Sequence, residues 1–380
     1  MMEVANRLHS VEEYYFSKKL KEVNSLKSHS KPIINLGIGS PDLQPPSNVI
    51  TAIANSLKEA NAHKYQSYQG LPELRQAISG FYKTHFNVTL NADGEVLPLM
   101  GSKEGIMHIS MAFLNKGDAV LIPNPGYPTY TSVTKLLEAK PVFYNLDQKH
   151  NWCPNLLELE AQDLSKVKIM WISYPHMPTG AKASKEVFKS LITFAKKHDI
   201  LLVNDNPYSF ILNKEPLSIL SVEGAKDVCL ELNSLSKTFN MAGWRVGMLS
   251  GNKELINAVL KVKSNMDSGM FYGIQKGAIE ALKVSQSWFE NLNAIYQERR
   301  RLVWELATKL ECTYNENASG LFVWAKLPSN FSSEVFIDKL LKEYDIFIAP
   351  GTIFGSQGEG YVRFSLCATT EQIKEAISRV

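Results

Sequence analysis

The stretch ILLVNDNPY, residues 200–208, begins with apolar and mostly branched side chains and ends in polar ones. Similar apolar runs occupy residues 31–36, 119–123, 167–173 and 228–232. Most of them are apolar on both faces, which is typical of a parallel sheet covered by helices on both sides. Segments with helical periodicity separate the runs, such as the stripe Phe188, Leu191, Ile192 and Ala195. The alternation predicts an α/β fold with a mostly parallel central sheet between helices.

The pattern changes after about residue 285, where a long charged helix is predicted over residues 290–310. The strand-like segments GLFVWAKL, YDIFIAPG and YVRFSL follow, with a further helix among them. A last helix is predicted to begin after Thr369, because Gln372 is placed to complete a capping box with it. We therefore predict a large domain over residues 46–284 and a smaller α+β domain that includes residues 285–380.

Composition restricts the possible partners. The 380 residues exceed what one core usually holds, and 44% hydrophobic and 21% charged residues are ordinary for a globular protein. The net charge of +3 comes with scattered lysines, so we expect no nucleic-acid partner. No apolar run is long enough to span a bilayer, and the acids near the start argue against a signal peptide. The four cysteines lack metal-ligand spacing and suit a reducing cytoplasm, so we expect a cytoplasmic, metal-free protein.

The segment Gly37-Ile38-Gly39 follows a strand-like run and partly matches the glycine motif of dinucleotide-binding proteins. The third glycine of that motif is missing. Pro41 and the prolines at 45 and 46 also prevent an immediate helix. A nicotinamide cofactor is therefore disfavoured.

The segment SLSKTFNMAGWRVG, residues 234–247, contains Ser234, Lys237 and Arg245 after an apolar strand. A pyridoxal phosphate (PLP) enzyme needs an amine that forms an imine with the cofactor's aldehyde, and donors that hold the phosphate. Arginine suits the phosphate because its planar guanidinium forms bidentate hydrogen bonds. Taken alone, Lys237 could be any surface lysine.

Asp205 ends the strand-like run at residues 200–204, and Tyr208 lies three residues further on. The carboxyl ends of strands are where α/β proteins bind ligands. A carboxylate there can keep a pyridine nitrogen protonated, and Tyr208 could contact the ring's 3-oxygen. An isolated aspartate in this position would more often cap a helix, and a lone tyrosine would more often be packed in the core.

Three further segments suggest binding roles. In GSKEGI, the amides of Ser102 and Lys103 open a helix and form an anion site, unless this is an ordinary turn. In NPGYPTY, Tyr127 could stack on a cofactor, although packing is the usual role of such a tyrosine. In YVRFSL, alternation separates Arg363 from its apolar neighbours. A substrate carboxylate and a structural ion pair are equally good explanations for that arginine.

Taken together, these segments resemble the fold-type I PLP enzymes, and specifically the class I/II aminotransferases. The resemblance covers nearly the whole chain in the right order. Besides the segments above it includes NLGIGSPDL, YQSYQGLPELRQAI, YPHMPTG and IAPGTIFG. It implies that PLP is the cofactor, that residues 1–45 join the small domain, and that the protein is a homodimer with shared active sites.

The resemblance also implies a role for each site residue. Three residues act on the cofactor ring or its aldehyde: Lys237 as the Schiff-base lysine, Asp205 as the pyridinium partner and Tyr208 as the donor to the 3-oxygen. The phosphate and the ring face are held by Ser102, Lys103, Ser234, Arg245, the weaker candidate Ser236, and Tyr127 as the stacking ring. The substrate carboxylate contacts Arg363 and Gly39. Tyr65 reaches the phosphate of the partner subunit's cofactor.

One position departs from the family. Where the family usually has Asn-Pro-Thr-Gly, this chain has Met177 before Pro178. The family's asparagine donates a hydrogen bond to the ring's 3-oxygen, and a thioether cannot donate one. The departure leaves Lys237, Asp205 and Arg363 in place, but it puts the usual cofactor tuning and substrate choice in question.

The expected activity is ping-pong transamination between an L-amino acid and a 2-oxo acid. A carbon–sulfur β-lyase shares the same first steps and is the alternative, followed by a non-catalytic PLP-binding module. The segment at residues 257–275, which often shapes the side-chain pocket in this family, has no arginine. Lys261 or Lys263 could bind a second carboxylate instead.

Overall fold

The computed structural model describes residues 2–13, 15–25, 32–329 and 331–380, so the predicted strand at residues 31–36 falls partly outside it. The α-helices are α1 (Tyr15–Ser25), α2 (Ser47–Ser56), α3 (Pro72–Phe86), α4 (Ser102–Phe113), α5 (Pro128–Leu136), α6 (Leu156–Glu160), α7 (Lys185–His198), α8 (Leu235–Thr238), α9 (Lys253–Lys263), α10 (Tyr272–Ala281), α11 (Gln286–Lys309), α12 (Ser333–Tyr344) and α13 (Thr370–Arg379). The strands are β1 (Ile34–Asn35), β2 (Val96–Leu99), β3 (Ala119–Asn124), β4 (Lys140–Asn145), β5 (Val167–Ile172), β6 (Leu201–Asp205), β7 (Cys229–Ser234), β8 (Gly247–Gly251), β9 (Thr313–Tyr314), β10 (Phe322–Lys326), β11 (Ile346–Phe347), β12 (Ala349–Pro350) and β13 (Tyr361–Ser365).

Seven strands form one large sheet in the order β2-β8-β7-β6-β5-β3-β4. Strand β8 runs antiparallel to both of its neighbours, and the other paired strands are parallel. This sheet confirms the predicted fold class.

Both faces of the large sheet are buried under helices. On β5, Ile169 and Trp171 pack in one apolar cluster with residues of α4 and α9. The alternate residues Met170 and Ile172 pack in a second cluster with residues of α3 and α7. Because successive side chains of a strand point to opposite faces, a strand covered on both sides is apolar throughout, as the sequence showed.

A second, four-stranded sheet is antiparallel and has the order β12-β13-β10-β9. The N-terminal strand β1 pairs in parallel with β11, and the Ser365 amide donates to the Leu36 carbonyl at 2.7 Å. The segment before residue 45 therefore packs with the C-terminal part of the chain. The division into domains at residues 45 and 285 stays a prediction.

Two helix predictions can be compared directly with the structure. The capping box of Thr369 and Gln372 is present and opens α13, which confirms that prediction. The charged helix α11 begins at Gln286, four residues before the predicted start. Among the helices that the structure describes, none is long and apolar enough to cross a membrane.

Candidate functional site

The ends of several strands of the large sheet surround one cavity of about 700 Å³. Asp205 and Ser234 are the last residues of β6 and β7, and Ser173 follows β5. Parallel strands end at the same edge of a sheet, so these side chains lie close together at the edge where α/β proteins bind ligands. The helix that follows β2 and the turn that follows β3 add Ser102 and Tyr127 to the cavity wall.

All the sequence-predicted site residues except Tyr65 line this cavity. They are Gly39, Ser102, Lys103, Tyr127, Met177, Asp205, Tyr208, Ser234, Ser236, Lys237, Arg245 and Arg363. Tyr65 is 90% exposed and does not contribute to the wall. The position of Tyr65 therefore does not support a role in this chain's own cavity. Its exposure is compatible with the predicted contact to another subunit, because such a contact requires an exposed side chain.

The Asp205 carboxyl is buried, and burial raises its pKa to about 6. The Tyr130 hydroxyl donates to Asp205 Oδ2 at 2.9 Å, which lowers that pKa in part. Asp205 Oδ1 has no hydrogen-bond partner among the described residues. The Tyr130 ring stacks on Trp171, with centroids 4.9 Å apart and planes 6° apart. The cavity wall thus offers one carboxylate oxygen to a ligand donor.

Replacing Asp205 with asparagine should stabilise the ligand-free protein at pH 8. The folded-state pKa of Asp205 is raised, so its stabilising contribution is fully present only at low pH and is lost as the pH rises through about 6. Ionisation of the buried Asp205 carboxyl lowers the free energy of unfolding of the wild type by about 1–3 kcal/mol above pH 7. Near pH 4 the loss is well under about 1 kcal/mol. Urea unfolding of the stripped protein at both pH values measures it. A variant less stable than the wild type at pH 8 would contradict this account.

An anion cradle lies beside Asp205, at the N-terminus of α4. Gly101 precedes that helix with φ 93°, and a Cβ on it would collide with the Arg245 guanidinium. A Cβ on Gly247 would lie 2.6 Å from the Ser102 amide nitrogen. Ser234 caps α8 by accepting from the Ser236 amide at 3.1 Å. The two glycines therefore keep open a space bordered by amides, hydroxyls and a guanidinium, which suits a phosphate.

Lys237 lies in the cavity wall between the cradle and the C-terminal sheet, and its ammonium donates to the Gly39 carbonyl. Burial lowers the pKa of Lys237, and the charges of Arg363 and Arg245 lower it further, against an opposing effect of Cys367. A lowered pKa increases the fraction of neutral amine, which is the form that attacks a carbonyl carbon or accepts a proton.

The Arg363 guanidinium is packed among aromatic rings. Its central carbon lies 3.8 Å from the centroid of Phe322, 4.6 Å from that of Phe354 and 5.5 Å from that of Phe16. Arg363 Nη2 donates to the Gly37 carbonyl at 2.9 Å, and Nη1 to Met177 Sδ at 3.3 Å. Arg363 lines the cavity, and its planar guanidinium has the geometry to bind a carboxylate through two parallel hydrogen bonds.

The segment that carries Met177 is buried. Its neighbour His176 contacts the Thr179 hydroxyl through Nδ1 at 2.8 Å and does not line the cavity. Burial lowers the pKa of His176 to about 3, so the ring is neutral. Met177 therefore faces the cavity and Arg363, whereas His176 points to the turn that follows.

Sequence reasoning missed several residues of the site. Tyr130 follows Tyr127 by three residues on α5, so helical spacing could have identified it. The rings of Phe16, Phe322 and Phe354 come from distant parts of the chain, and nothing in their sequence surroundings marked them.

The described groups fit PLP. Asp205 Oδ1 is a buried acceptor without a partner, as a protonated ring nitrogen requires. The cradle at Gly101 has room and donors for a phosphate, and Lys237 is an amine with a lowered pKa. The tyrosine rings of residues 127 and 208 complete the polar and flat surfaces of the wall.

Comparison with known proteins gives one family. The family model described as aminotransferase class I and II matches residues 31–380. An LL-diaminopimelate aminotransferase from Maridesulfovibrio salexigens is 40% identical over 99% of this chain and 98% of its own length. The Aquifex aeolicus protein of the same name is 38% identical over 100% of this chain and 99% of its own length.

Solved structures agree with these matches. The chain superposes on apo-BacF from Bacillus subtilis with a TM-score of 0.96 and 35% identity, covering 100% of this chain and 98% of the other. A Staphylococcus aureus aminotransferase gives a TM-score of 0.91 and 34% identity, with 99% and 98% of the two chains covered.

Proposed function

Because this chain belongs to the aminotransferase class I and II family and is a PLP-dependent aminotransferase, we propose that its amino donor carries a second charged end. LL-diaminopimelate is the first candidate. Relatives with that activity in their name are 37–40% identical to this chain over almost its full length. The observation that carries the proposal is the position of Lys103 among the residues that line the cavity.

We assign the cofactor contacts as follows. Bound PLP supplies an aldehyde that condenses with amines and a ring that acts as an electron sink. Asp205 would hold the proton on the ring nitrogen, Tyr127 would lie against the ring, and Tyr208 would donate a hydrogen bond to its 3-oxygen. The phosphate is held by the groups of the cradle, which are the α4 amides at Ser102 and Lys103 and the side chains of Ser234, Ser236 and Arg245.

Lys237 is the base and acid of the reaction. With PLP bound, the Lys237 amine would take the proton from the substrate Cα and would deliver a proton to the cofactor's aldehyde carbon, C4′, which is the proton movement that interconverts an amino acid and a 2-oxo acid. Arg363 holds the substrate α-carboxylate next to Gly39, so that the Cα–H bond faces Lys237. Met177 lies against Arg363 at the position where the family usually has asparagine.

Lys103 is suited to a second carboxylate. Lys103 belongs to the first turn of α4 and is one of the residues that line the cavity. Partial burial lowers the pKa of Lys103, and the charge of the neighbouring Arg245 lowers it further. Lys263, considered above for this role, is fully buried in an ion pair with Asp267, and Lys261 does not line the cavity.

Replacing Lys103 with glutamine should lower kcat/KM for LL-diaminopimelate by about 10- to 100-fold, the worth of one charge-assisted hydrogen bond. For L-norleucine, which lacks the second charged end, the same change should have little effect. Steady-state kinetics with both donors measures the difference. Lys116→Gln, an exposed lysine remote from the cavity, is the matched control. Equal losses for both donors would mean that Lys103 serves the cofactor and not the substrate's far end.

We further propose that the active unit is a homodimer. The exposed side chains of Tyr65, Met266 and Phe271 are 90%, 58% and 44% accessible. Their segments adjoin, because a Cβ on Gly269 would contact the Gln66 carbonyl. A surface with several exposed large apolar groups is typical of a contact between copies. In such a dimer, Tyr65 would reach the phosphate of the other subunit.

Mixing two inactive variants tests the shared site. A Lys237→Ala subunit and a Tyr65→Ala subunit should together recover activity, because each mixed dimer contains one site with both residues intact. The readout is the rate of transamination after refolding an equal mixture, with separate tags used to isolate the mixed dimer. If purified mixed dimers are as inactive as the parents, Tyr65 does not act across the interface.

We also propose a reducing compartment such as the cytoplasm. All four cysteines are free thiols in the structure. Burial raises the pKa of Cys312 to about 12 and raises that of Cys229 still further, so these thiols are poor nucleophiles.

A further inference from the structure

A second cavity, of about 380 Å³, lies between the two sheets. One wall is formed by the turns that follow β4 and β5, and includes Trp152 and Lys182. The other wall is the antiparallel sheet, with Trp324, Lys326 and Tyr361. Its volume is within the range of cavities that bind small molecules. None of its lining residues lines the cavity that contains Lys237.

The aromatic side of this second cavity is a rigid corner. Trp324 stacks on Tyr361, with centroids 5.1 Å apart and planes 8° apart. Trp152 meets both rings edge-on, at 5.6 Å from Tyr361 and 6.3 Å from Trp324. Trp152 is buried with φ 57°, and its carbonyl accepts from the Tyr174 hydroxyl at 2.7 Å. Non-glycine residues in the left-handed region cost free energy, and such positions occur often at ligand clamps.

The charged side chains that line the second cavity are lysines. Lys182 and Lys326 are both exposed at its wall. Carboxamides of Gln148 and Asn315 add hydrogen-bonding groups. None of its lining residues, all of which lie within the described part of the chain, is acidic. A metal ion and an organic cation are therefore disfavoured, and an anion with a flat apolar part is favoured.

We propose that this second cavity binds a small aromatic carboxylate. The flat ring lies against the corner of Trp152, Trp324 and Tyr361, and the carboxylate contacts Lys182 and Lys326. The site is separate from the reacting centre but adjacent to it, because Trp324 is the cross-strand neighbour of Arg363. On the opposite wall, Thr179 contacts His176, the residue before Met177.

Calorimetric titration of the cofactor-loaded protein tests the proposal. The probes are indole-3-acetate and its uncharged analogue indole-3-acetamide. The acetate should bind more tightly than the amide. In the double variant Lys182→Gln, Lys326→Gln, its affinity should fall about 1.5- to 5-fold per lysine, the range expected for exposed charge contacts. Both lysines are exposed, so the variant should fold, and Lys189→Gln on the exposed side of α7 is the matched control.

The titration must also exclude binding of the probe in the cavity that contains Lys237, because we assign Arg363 there to a carboxylate as well. Indole-3-acetate should bind Arg363→Gln with unchanged affinity if it occupies the second cavity. Loss of binding in Arg363→Gln, equal affinity for acid and amide, or no binding of the acid at millimolar concentration would each overturn the proposal. These outcomes do not depend on which amino donor the enzyme uses, so the proposed function is tested separately.

Discussion

Replacing Lys237 with alanine is expected to lower kcat by about 10⁴-fold or more, because proton transfer by a positioned group alone is worth about 10²–10⁴-fold. The amine also forms the covalent attachment to the cofactor, so its removal affects more than one step. Among the described residues that line the cavity, no other lysine donates a hydrogen bond to Gly39, so we expect no substitute. Transamination rates in single-turnover and steady-state assays measure the loss.

A second readout makes the Lys237 prediction independent of activity. Borohydride reduction of the cofactor-loaded wild type should leave the cofactor's mass on the peptide that contains Lys237. Lys237→Arg is the matched control, because it keeps the positive charge but cannot give up its proton near neutral pH. It should be as inactive as the alanine variant. A cofactor mass on another lysine would rule out Lys237 as the attachment site.

Replacing Arg363 with glutamine is expected to lower kcat/KM for every amino acid by about 10²–10⁴-fold. A bidentate carboxylate forms two charge-assisted hydrogen bonds with this guanidinium, each worth about 1.5–3 kcal/mol. The rings of Phe322, Phe354 and Phe16 exclude water around the arginine, which strengthens those bonds. Because the α-carboxylate is common to all amino acids, the loss should be similar for charged and apolar donors.

The conservative variant Arg363→Lys separates charge from geometry. It keeps the cation and loses the planar fork, so its activity should fall between those of the wild type and Arg363→Gln. The absorbance of the bound cofactor should be unchanged in both variants, since Arg363 holds the substrate. A variant that loses the cofactor, or that loses activity with one donor only, would contradict the assignment of Arg363 to the α-carboxylate.

The sequence predicts the location of a site residue when that residue lies at or near the end of a strand. The apolar runs predict that Asp205 ends one strand and that Ser234 follows another shortly after its end. In the structure they are the last residues of β6 and β7, and parallel pairing brings them together. Alternation in β13 separates Arg363 from its apolar neighbours in the same way. These patterns are local in the sequence, and the pairing of the strands then brings the predicted residues together.

Other features depend on contacts between distant segments. Phe16 and Phe354 come from opposite ends of the chain and both contact Arg363. The identity of an apolar residue does not indicate which distant residue it will pack against. The antiparallel direction of β8 also could not be predicted, because its sequence GMLSG is short and has no strand-like alternation. Only the family resemblance indicates a role for Tyr65. Its side chain is exposed, so the mixing of the two inactive variants is the test of that role.

The pairing of β1 with β11 also affects how the protein is synthesised. The strand partners of Ile34 and Asn35 are Ile346 and Phe347, which are synthesised about 310 residues later. At typical synthesis rates of about 5–20 residues per second, that interval is roughly 15–60 s. During it the nascent chain exposes the edge of β1 and the apolar side chains of Ile34 and Leu36, which are buried in the finished protein. Translation stalled before residue 346 should therefore produce chains that depend on chaperones to stay in solution.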